Sequence, residues 1–432
     1  MIHGMRTKIS AVSKSLGQTV TLAGFVHSLR NQGKIAFLRL RDDSGSLQVV
    51  ILSSNVEAFS IVKSLSVESV VEITGLVKAA PQVPEKLELE AQAITVLSVA
   101  DSSLPIPVSA EKGAVDVDVA KRFDWRWLDL RKSDSHRIFR VWTALEQGMR
   151  AYFAEHDFVQ IYAPSLMSAA SESGAEVFEV KYFETKAYLA QSPQFYKQMA
   201  IASGFEKVFL VGPVFRAELS FTTRHMTEFT GWDFEIAYIN SHHEIMDTLE
   251  ASLKAGFTEL KKQELIQESI SFPFARLTFT DAKIQLQKSG ITSDKPHDFS
   301  PDEEREICRL VKEDSGSDFV FIYDYPPEGR AFYHMRHTDN PALTRGFDLL
   351  YKGVEITTGA QREHRYDVLV KQAKERGLTA ESLSDYLNFF KYGCPPHGGV
   401  GIGPGRIVAQ ILGLSSVKES AFLPRDVKRL RP

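Results

Sequence analysis

Five short segments rich in β-branched and aromatic residues fill the first hundred positions, and they constrain the fold more than any other feature. Gly, Asp and Ser turns separate them, and the turn from Asp42 to Gly45 is tight enough to join two strands directly. The segments are Thr19–Leu29, Ile35–Arg41, Leu47–Ser53, Val70–Val77 and Leu87–Val96. Such runs are typical of strands, and five in succession predict a small β-barrel at residues 1–99.

The pattern agrees with an OB-fold, a five-stranded barrel that many proteins use to bind single-stranded nucleic acid. On that interpretation Phe37, Arg39 and Gln48 lie near the binding face. An SH3-like barrel has similar short strands, so the segments alone leave both barrels open.

A polar stretch with two stiffening prolines, Pro105 and Pro107, follows the barrel. We interpret residues 100–124 as a hinge and residues 125–432 as a second domain.

The second domain mixes helices and strands, so the fold class is α+β. Apolar residues recur at helical spacing from Arg137 to Glu155, and a short strand, Phe158–Tyr162, follows. Residues 241–316 predict a helical insertion without recognisable chemistry. Three strand-like segments and a helix come next, at Val320–Tyr323, Phe332–Met335, Phe347–Thr358 and Val368–Glu375.

Charged side chains are concentrated in a predicted hairpin with strands at Val208–Phe215 and Gly231–Ile239. It carries both charge signs, with Arg216, Arg224 and His225 beside Glu218, Glu228, Asp233 and Glu235. Alternation along the second strand puts Asp233 and Glu235 on one face. A salt-bridged surface ribbon would have this composition too, but the density of both signs also fits a nucleotide site.

The composition limits the compartment and the partners. Cys308 and Cys394 are far apart and match no metal or redox spacing, which predicts a reducing, cytoplasmic location. Residues 1–18 lack the apolar core of a signal peptide, and no run of about eighteen apolar residues occurs, so we expect no membrane contact. The net charge of −4 excludes a generally basic nucleic-acid coating protein, although local patches can bind nucleic acid.

The order of residues in the hairpin resembles motif 2 of the class II aminoacyl-tRNA synthetases, in particular their aspartyl and asparaginyl group. The matching residues are Phe-Arg-Ala-Glu from Phe215 and Thr-Arg-His-Met-Thr-Glu-Phe from Thr223. The resemblance implies that Arg216 binds the α-phosphate of ATP and the substrate carboxylate, that Glu218 meets the adenine amino group, and that Phe229 stacks on the base. Arg224 and His225 flank this ATP site. A rigid guanidinium suits the first role because it holds phosphate oxygens bidentately.

A glycine run from Gly398 to Arg406 resembles motif 3 of the same family. It is not a Walker loop, because no Gly-Lys-Ser or Gly-Lys-Thr ends it. The resemblance implies that Arg406 covers the adenine and meets the triphosphate, with Gly403 in the same ATP site. Many relatives have glutamate where this chain has Gly405. The helix and strand from Arg137 to Tyr162, with Pro164, resemble motif 1, which implies a homodimer.

Two further segments, Tyr188–Lys197 and Gly359–Arg365, narrow the resemblance to the aspartyl branch of the archaeal type. There Lys197 and Arg362 would grip the side-chain carboxylate of L-aspartate, whereas a neutral amide needs an acceptor as well as donors. The resemblance adds Glu172, from a loop that closes over the substrate in the family. It also adds Gln194, Arg216, Asp233 and Thr358 to the amino-acid site.

Activation with ATP implies Mg²⁺, which bridges and neutralises phosphates through oxygen ligands. The family positions that supply those ligands correspond to Asp348, Glu355 and Thr358, and Glu355 also belongs to the ATP site.

In the barrel, the resemblance assigns anticodon contacts to Arg30, Phe37 and Gln48, with Phe37 stacking on a base and Gln48 reading the central uridine. For Phe37 a place in the barrel core is the alternative. Relatives that charge only the aspartate tRNA tend to carry tryptophan and lysine where this chain has His27 and Pro84. The resemblance therefore implies that the asparagine tRNA is charged as well.

Together these motifs imply an aspartate–tRNA ligase that forms aspartyl adenylate from ATP and passes the aspartyl group to tRNA. Catalysis would depend on Arg216 and Arg406, which neutralise charge during in-line attack by an already ionised carboxylate. Three alternatives stay open: an asparaginyl-tRNA synthetase, a catalytically silent tRNA-binding paralogue, and a tRNA-independent asparagine synthetase.

Overall fold

The computed structural model describes residues 6–109, 117–168, 177–292, 295–381 and 383–432. The chain divides into two compact units, Met1–Asp118 and Val119–Pro432, and the division falls within the segment predicted as a hinge. In the described ranges, no helix is both long enough and apolar enough to span a membrane.

The first unit is a closed barrel of five strands in the order β1-β2-β3-β5-β4. Each strand lies within two residues of a predicted segment at both ends: β1 (Thr19–Asn31), β2 (Ile35–Asp42), β3 (Gly45–Leu52), β4 (Val70–Ala79) and β5 (Leu87–Ser98). A 3₁₀ helix (Ile9–Ser15) precedes the barrel, and helix α1 (Val56–Ser64) connects β3 to β4. Alternation along β2 buries Leu38 and Leu40 and leaves Phe37 outside the barrel core.

The second unit is built on an eight-stranded sheet in the order β12-β13-β14-β15-β16-β11-β10-β6, with a small sheet β7-β9-β8 beside it. Both edge pairs, β12 with β13 and β10 with β6, are parallel, and the central pairs are antiparallel. The strands are β6 (Val159–Gln160), β7 (Leu166–Met167), β8 (Glu179–Tyr182), β9 (Thr185–Leu189), β10 (Lys207–Phe215), β11 (Glu228–Ala237), β12 (Ala275–Thr278), β13 (Phe319–Tyr323), β14 (Gly346–Tyr351), β15 (Val354–Arg362) and β16 (His397–Ile402).

Helices flank this sheet. They are α2 (Val119–Asp124), α3 (Arg126–Asp129), α4 (Ser133–Glu155), α5 (Gln194–Ala202), α6 (His242–Lys262), α7 (Phe279–Lys288), α8 (Pro301–Ser315), α9 (Tyr366–Glu375), α10 (Ser384–Lys391) and α11 (Pro404–Leu412). Two short 3₁₀ helices lie at Pro327–Gly329 and Val417–Ser420.

The largest core cluster of the second unit lies between the sheet and the helices α4 and α6. The predicted apolar stripe of α4 is buried there at Ile138, Val141, Leu145 and Met149. The two helices touch through glycines: a Cβ on Gly148 would lie 2.5 Å from the carbonyl oxygen of Ala255, and one on Gly256 would lie 2.8 Å from Leu145. Close backbone packing therefore holds α4 and α6 against the sheet.

Two expectations for the second unit are wrong. Phe332–Met335 forms no strand: Phe332 and Tyr333 pack into a separate apolar cluster with α9 and α10, and His334 makes only an isolated bridge to Arg362. Residues 241–316 are not wholly helical, because β12 adds a short edge strand to the sheet there. Apolar packing produced the first signal, and a four-residue edge strand is too short to show alternation.

Candidate active site and nucleic-acid face

A cavity of about 930 Å³ opens on the sheet of the second unit. It gathers most side chains predicted for ATP and the amino acid: Gln194, Lys197, Arg216, Glu218, Arg224, His225, Phe229, Asp233, Glu355, Thr358, Arg362, Gly403 and Arg406. These residues come from α5, β10–β11, β15 and α11, which are distant in sequence. Glu172 lies outside the described residues.

At one end of the cavity, two cations and two carboxylates form a buried network. The Lys197 ammonium donates to Asp233 Oδ2 at 2.7 Å and lies 3.5 Å from Glu235 Oε2. The Arg362 guanidinium donates to Glu235 Oε1 at 3.0 Å through Nε. All four side chains are at most 7% exposed. The two predicted aspartate-binding cations are therefore already held by partners on β11 before any substrate is considered.

Glycines in β16 make room for this network. A Cβ on Gly399 would lie 2.2 Å from Glu235 Oε2, and the Gly399 carbonyl accepts from Arg362 at 2.9 Å. The carbonyl of Val400 accepts from Lys197 at 2.8 Å. Part of the run predicted to approach phosphate is thus a strand whose missing side chains admit a buried carboxylate.

Charge in the network follows from its geometry. Burial alone would raise the pKa of Glu235, but Arg362 and Lys197 outweigh it and hold that pKa below its usual value. Glu235 is therefore ionised at neutral pH.

At the other end of the cavity lie the arginines predicted to bind phosphate. The Arg216 guanidinium is 45% exposed and lies 5.6 Å from the centre of the Phe229 ring. Arg406 follows Gly403 at the start of α11 and donates to the Glu355 carbonyl at 2.7 Å. Burial would raise the pKa of Glu355, yet Arg406 and Arg330 lower it. This end presents accessible positive charge beside an aromatic ring, as a nucleotide triphosphate requires.

The loop between β10 and β11 is held on both sides. Arg224 pairs with Glu304 of α8, which also accepts from the Glu355 backbone amide at 3.0 Å. His225 Nδ1 lies 2.6 Å from Thr222 Oγ1, and burial, followed by Arg406, lowers the pKa of His225. His225 is therefore neutral at pH 7.

Gly405, where relatives carry glutamate, is buried. A Cβ there would lie 3.0 Å from Ser420 Oγ and 3.6 Å from Trp142. Side chains from the C-terminal segment and α4 occupy the surroundings of this position, so the helix packs closely without the glutamate.

The predicted magnesium ligands differ in availability. Thr358 Oγ1 donates to Glu355 Oε1 at 3.0 Å and both side chains line the cavity. Asp348 faces Thr358 across the strands, but Arg330 donates to both its oxygens at 2.8 and 2.7 Å. Burial raises the pKa of Asp348 despite this pair. Among the described residues, no group of three or more His, Cys, Asp or Glu side chains could hold a metal. Glu355 and Thr358 fit a hard ion completed by phosphate oxygens and water.

The first unit carries the residues predicted to contact an anticodon. Phe37 is half-buried on the outer face of β2 and pairs in register with the exposed Arg30. Gln48 donates to Glu88 at 2.9 Å. Arg41 lies 2.7 Å from His27 Nδ1, and burial, followed by Arg41, lowers the pKa of His27. Pro84 is exposed in the connection from β4 to β5.

Three residues that shape the site were not predicted to belong to it. Glu235 could have been found, because alternation places it beside Asp233. Arg330 and Glu304 gave no signal: each acts on a predicted residue through a pair whose partners are distant in sequence.

The chain matches two family models. One, described as tRNA synthetases class II (D, K and N), covers residues 118–427, and the other, an OB-fold nucleic acid binding domain, covers residues 20–97. The chain is 39% identical to the aspartate–tRNA(Asp/Asn) ligase of Methanopyrus kandleri, over 96% of each chain. It is 37% identical to the aspartate–tRNA(Asp) ligase of Pyrococcus abyssi, over 96% of this chain and 97% of the relative. Among solved structures, the asparaginyl-tRNA synthetase of Pyrococcus horikoshii, complexed with asparaginyl-adenylate, is similar with a TM-score of 0.92, 32% identity and full coverage of both chains.

Proposed function

Since the chain belongs to the class II tRNA synthetases of the D, K and N group, with an OB-fold barrel at its amino terminus, we propose that it is an aspartate–tRNA ligase. It activates L-aspartate with ATP and transfers the aspartyl group to the 3′ end of the aspartate tRNA. The sequence relatives at 37–39% identity carry aspartate–tRNA ligase names, which supports this choice.

The observation that carries the choice of amino acid is the pair Lys197 and Arg362 on one cavity wall. The two side chains come from α5 and β15 and converge on Glu235. A carboxylate side chain entering here meets two fixed cations, whereas the amide of asparagine would leave donors facing its own NH₂ group. Asp233, beside Lys197, is available to the substrate ammonium.

Arg216 and Arg406 support adenylate formation at the other end of the cavity. In the proposed reaction the α-carboxylate of aspartate attacks the α-phosphorus of ATP and pyrophosphate leaves. The carboxylate is already ionised, so the protein orients it and neutralises the charge that grows on the phosphoryl oxygens. Arg216, exposed and beside Phe229, is the group for that task.

We also propose Mg²⁺ as the partner of ATP, with Glu355 and Thr358 as the residues that would hold it. The ion would supply charge neutralisation for the β- and γ-phosphates. Asp348 could join only by sharing its oxygens with Arg330.

The proposal extends to a cytoplasmic homodimer. The segment similar to motif 1 exposes apolar side chains next to the edge strand β6: Val159 at 45%, Tyr162 at 81% and Leu166 at 45%. A second copy of the chain would remove this apolar surface from water. The free thiols Cys308 and Cys394 agree with a reducing compartment.

For the tRNA, we propose relaxed specificity. His27 and Pro84 stand where relatives specific for the aspartate tRNA tend to carry tryptophan and lysine, and Phe37 presents a half-buried ring for stacking.

Charging of purified aspartate and asparagine tRNAs with labelled aspartate, side by side, tests the proposal. We expect both to be charged. Arg216→Ala should reduce charging by at least about a hundredfold while leaving tRNA binding by the barrel intact. Charging of the aspartate tRNA alone would refute relaxed specificity, and charging of neither would refute the ligase.

A further inference from the structure

Four polar side chains from three elements form a chain of hydrogen bonds beneath the amino-acid end of the cavity. Gln194 and Gln198 lie one turn apart on α5, Tyr386 is on α10, and His397 begins β16. All are at most 5% exposed. Buried polar groups of this kind need partners, so the direction of each hydrogen bond can be worked out from the donors and acceptors present.

The direction is set at His397. Its Nδ1 lies 2.8 Å from the carbonyl oxygen of Pro395, which can only accept, so Nδ1 carries a hydrogen. Burial lowers the pKa of His397 to about 4, with Glu235 opposing and Arg362 and His364 adding to the shift, and Cys394 Sγ lies 3.7 Å from Nδ1. The ring is therefore neutral at pH 7, and its Nε2 can only accept.

Gln198 passes this direction on. Its Nε2 lies 2.9 Å from His397 Nε2 and must donate. Its Oε1 then accepts twice, from Gln194 Nε2 at 2.9 Å and from the Tyr386 hydroxyl at 3.0 Å. A flipped Gln198 would set acceptor against acceptor at His397 and donor against donor at Gln194.

The last member, Gln194, is fixed in turn. Its Nε2 is engaged by Gln198, and within the described part of the chain its Oε1 accepts no hydrogen bond. Gln194 lines the cavity beside Lys197 and Asp233. A carbonyl oxygen kept available there suits an ammonium group and would repel a carboxylate.

We propose that Gln198, Tyr386 and His397 are positioning residues, a relay that holds Gln194 with its carbonyl oxygen available to the ammonium of the amino-acid substrate. This inference rests on the proposed function, because it concerns how an amino acid is oriented for activation.

Two substitutions at Gln198 separate the relay from simple packing. In Gln198→Met the acceptor for Gln194 is lost, so KM for aspartate in pyrophosphate exchange should rise about tenfold at every pH, as expected for a lost buried partner. In Gln198→Glu, two acceptors face each other at His397 until one proton is added to the pair. Its KM for aspartate, relative to wild type, should be raised at pH 8.5 and recover towards pH 6, with KM for ATP within twofold of wild type.

Controls limit other causes. Met199→Gln changes a neighbouring, 40% exposed position of α5 and should leave both KM values unchanged. Tyr386→Phe keeps the ring that stacks on Phe195 and removes one donor, so its effect should be the smallest of the relay variants. An unchanged KM for aspartate in Gln198→Met, or a pH-independent ratio in Gln198→Glu, would overturn the relay.

A readout independent of activity separates the relay from the proposed function. Nitrogen-15 NMR of histidine-labelled protein, with the His397 signals assigned by their absence in His397→Asn, should show the Nδ1–H tautomer at pH 7. An Nε2–H tautomer or a charged ring would overturn the relay. If the tautomer is as expected and the wild type activates no amino acid, the proposed function fails and the hydrogen-bond order stands.

Discussion

Lys197 is the residue on which the amino-acid end of the site depends most. Its ammonium is 1% exposed and contacts Asp233, Glu235 and the Val400 carbonyl. A buried cation of this kind is stable only with its partners, and its partners are stable only with it. The same charge therefore serves the fold and the recognition of a carboxylate.

Lys197→Met should destabilise the protein by about 3 kcal/mol and abolish aspartate activation, because two buried carboxylates are left with Arg362 alone. Urea unfolding and pyrophosphate exchange measure the two effects. The double variant Lys197→Met with Asp233→Asn should recover part of the stability and none of the activity. Wild-type stability in Lys197→Met would show that Asp233 does not depend on the ammonium.

Sequence reasoning found the members of the site better than their contacts. Lys197, Arg216, Arg362 and Arg406 were predicted, and they line one cavity. The prior engagement of Lys197 by Asp233 was not predicted, since the two are 36 residues apart and only tertiary packing joins them. Arg330 was missed for the same reason.

At the scale of elements, the contact between α4 and α6 supports the sheet from one side. Leu145 and Met149 of α4 pack against the glycine of α6, and Gly148 meets the backbone of Ala255. The helices were predictable from their apolar spacing, but the use of glycine at their crossing was not, because a lone glycine in a helix gives no sign of what approaches it.

Gly148→Ala should lower the free energy of unfolding by about 2 kcal/mol, because the new methyl group would meet backbone atoms that cannot move without separating the helices. Gly212→Ala is the matched control: a Cβ there meets nothing within 4 Å, so stability should change little. Thermal or urea unfolding compares the two. Equal stability of both variants would show that the helix contact is looser than described.

At the scale of the whole molecule, the chain combines a barrel suited to single-stranded nucleic acid with a sheet that carries an activation site. The five barrel strands were predicted closely because each alternates between core and surface. The eight-stranded order of the second unit was not, since β16 lies between β11 and β15 and such pairing leaves no local pattern. Similarity to both aspartate–tRNA ligases and an asparaginyl-tRNA synthetase makes the identity of the amino acid the central question.

Amino-acid-dependent exchange of pyrophosphate into ATP answers that question most directly. With aspartate and asparagine compared on the same wild-type preparation, we predict exchange with aspartate and a kcat/KM for asparagine lower by at least about a hundredfold, as polar recognition of a charged group allows. Exchange with asparagine and none with aspartate would contradict the account.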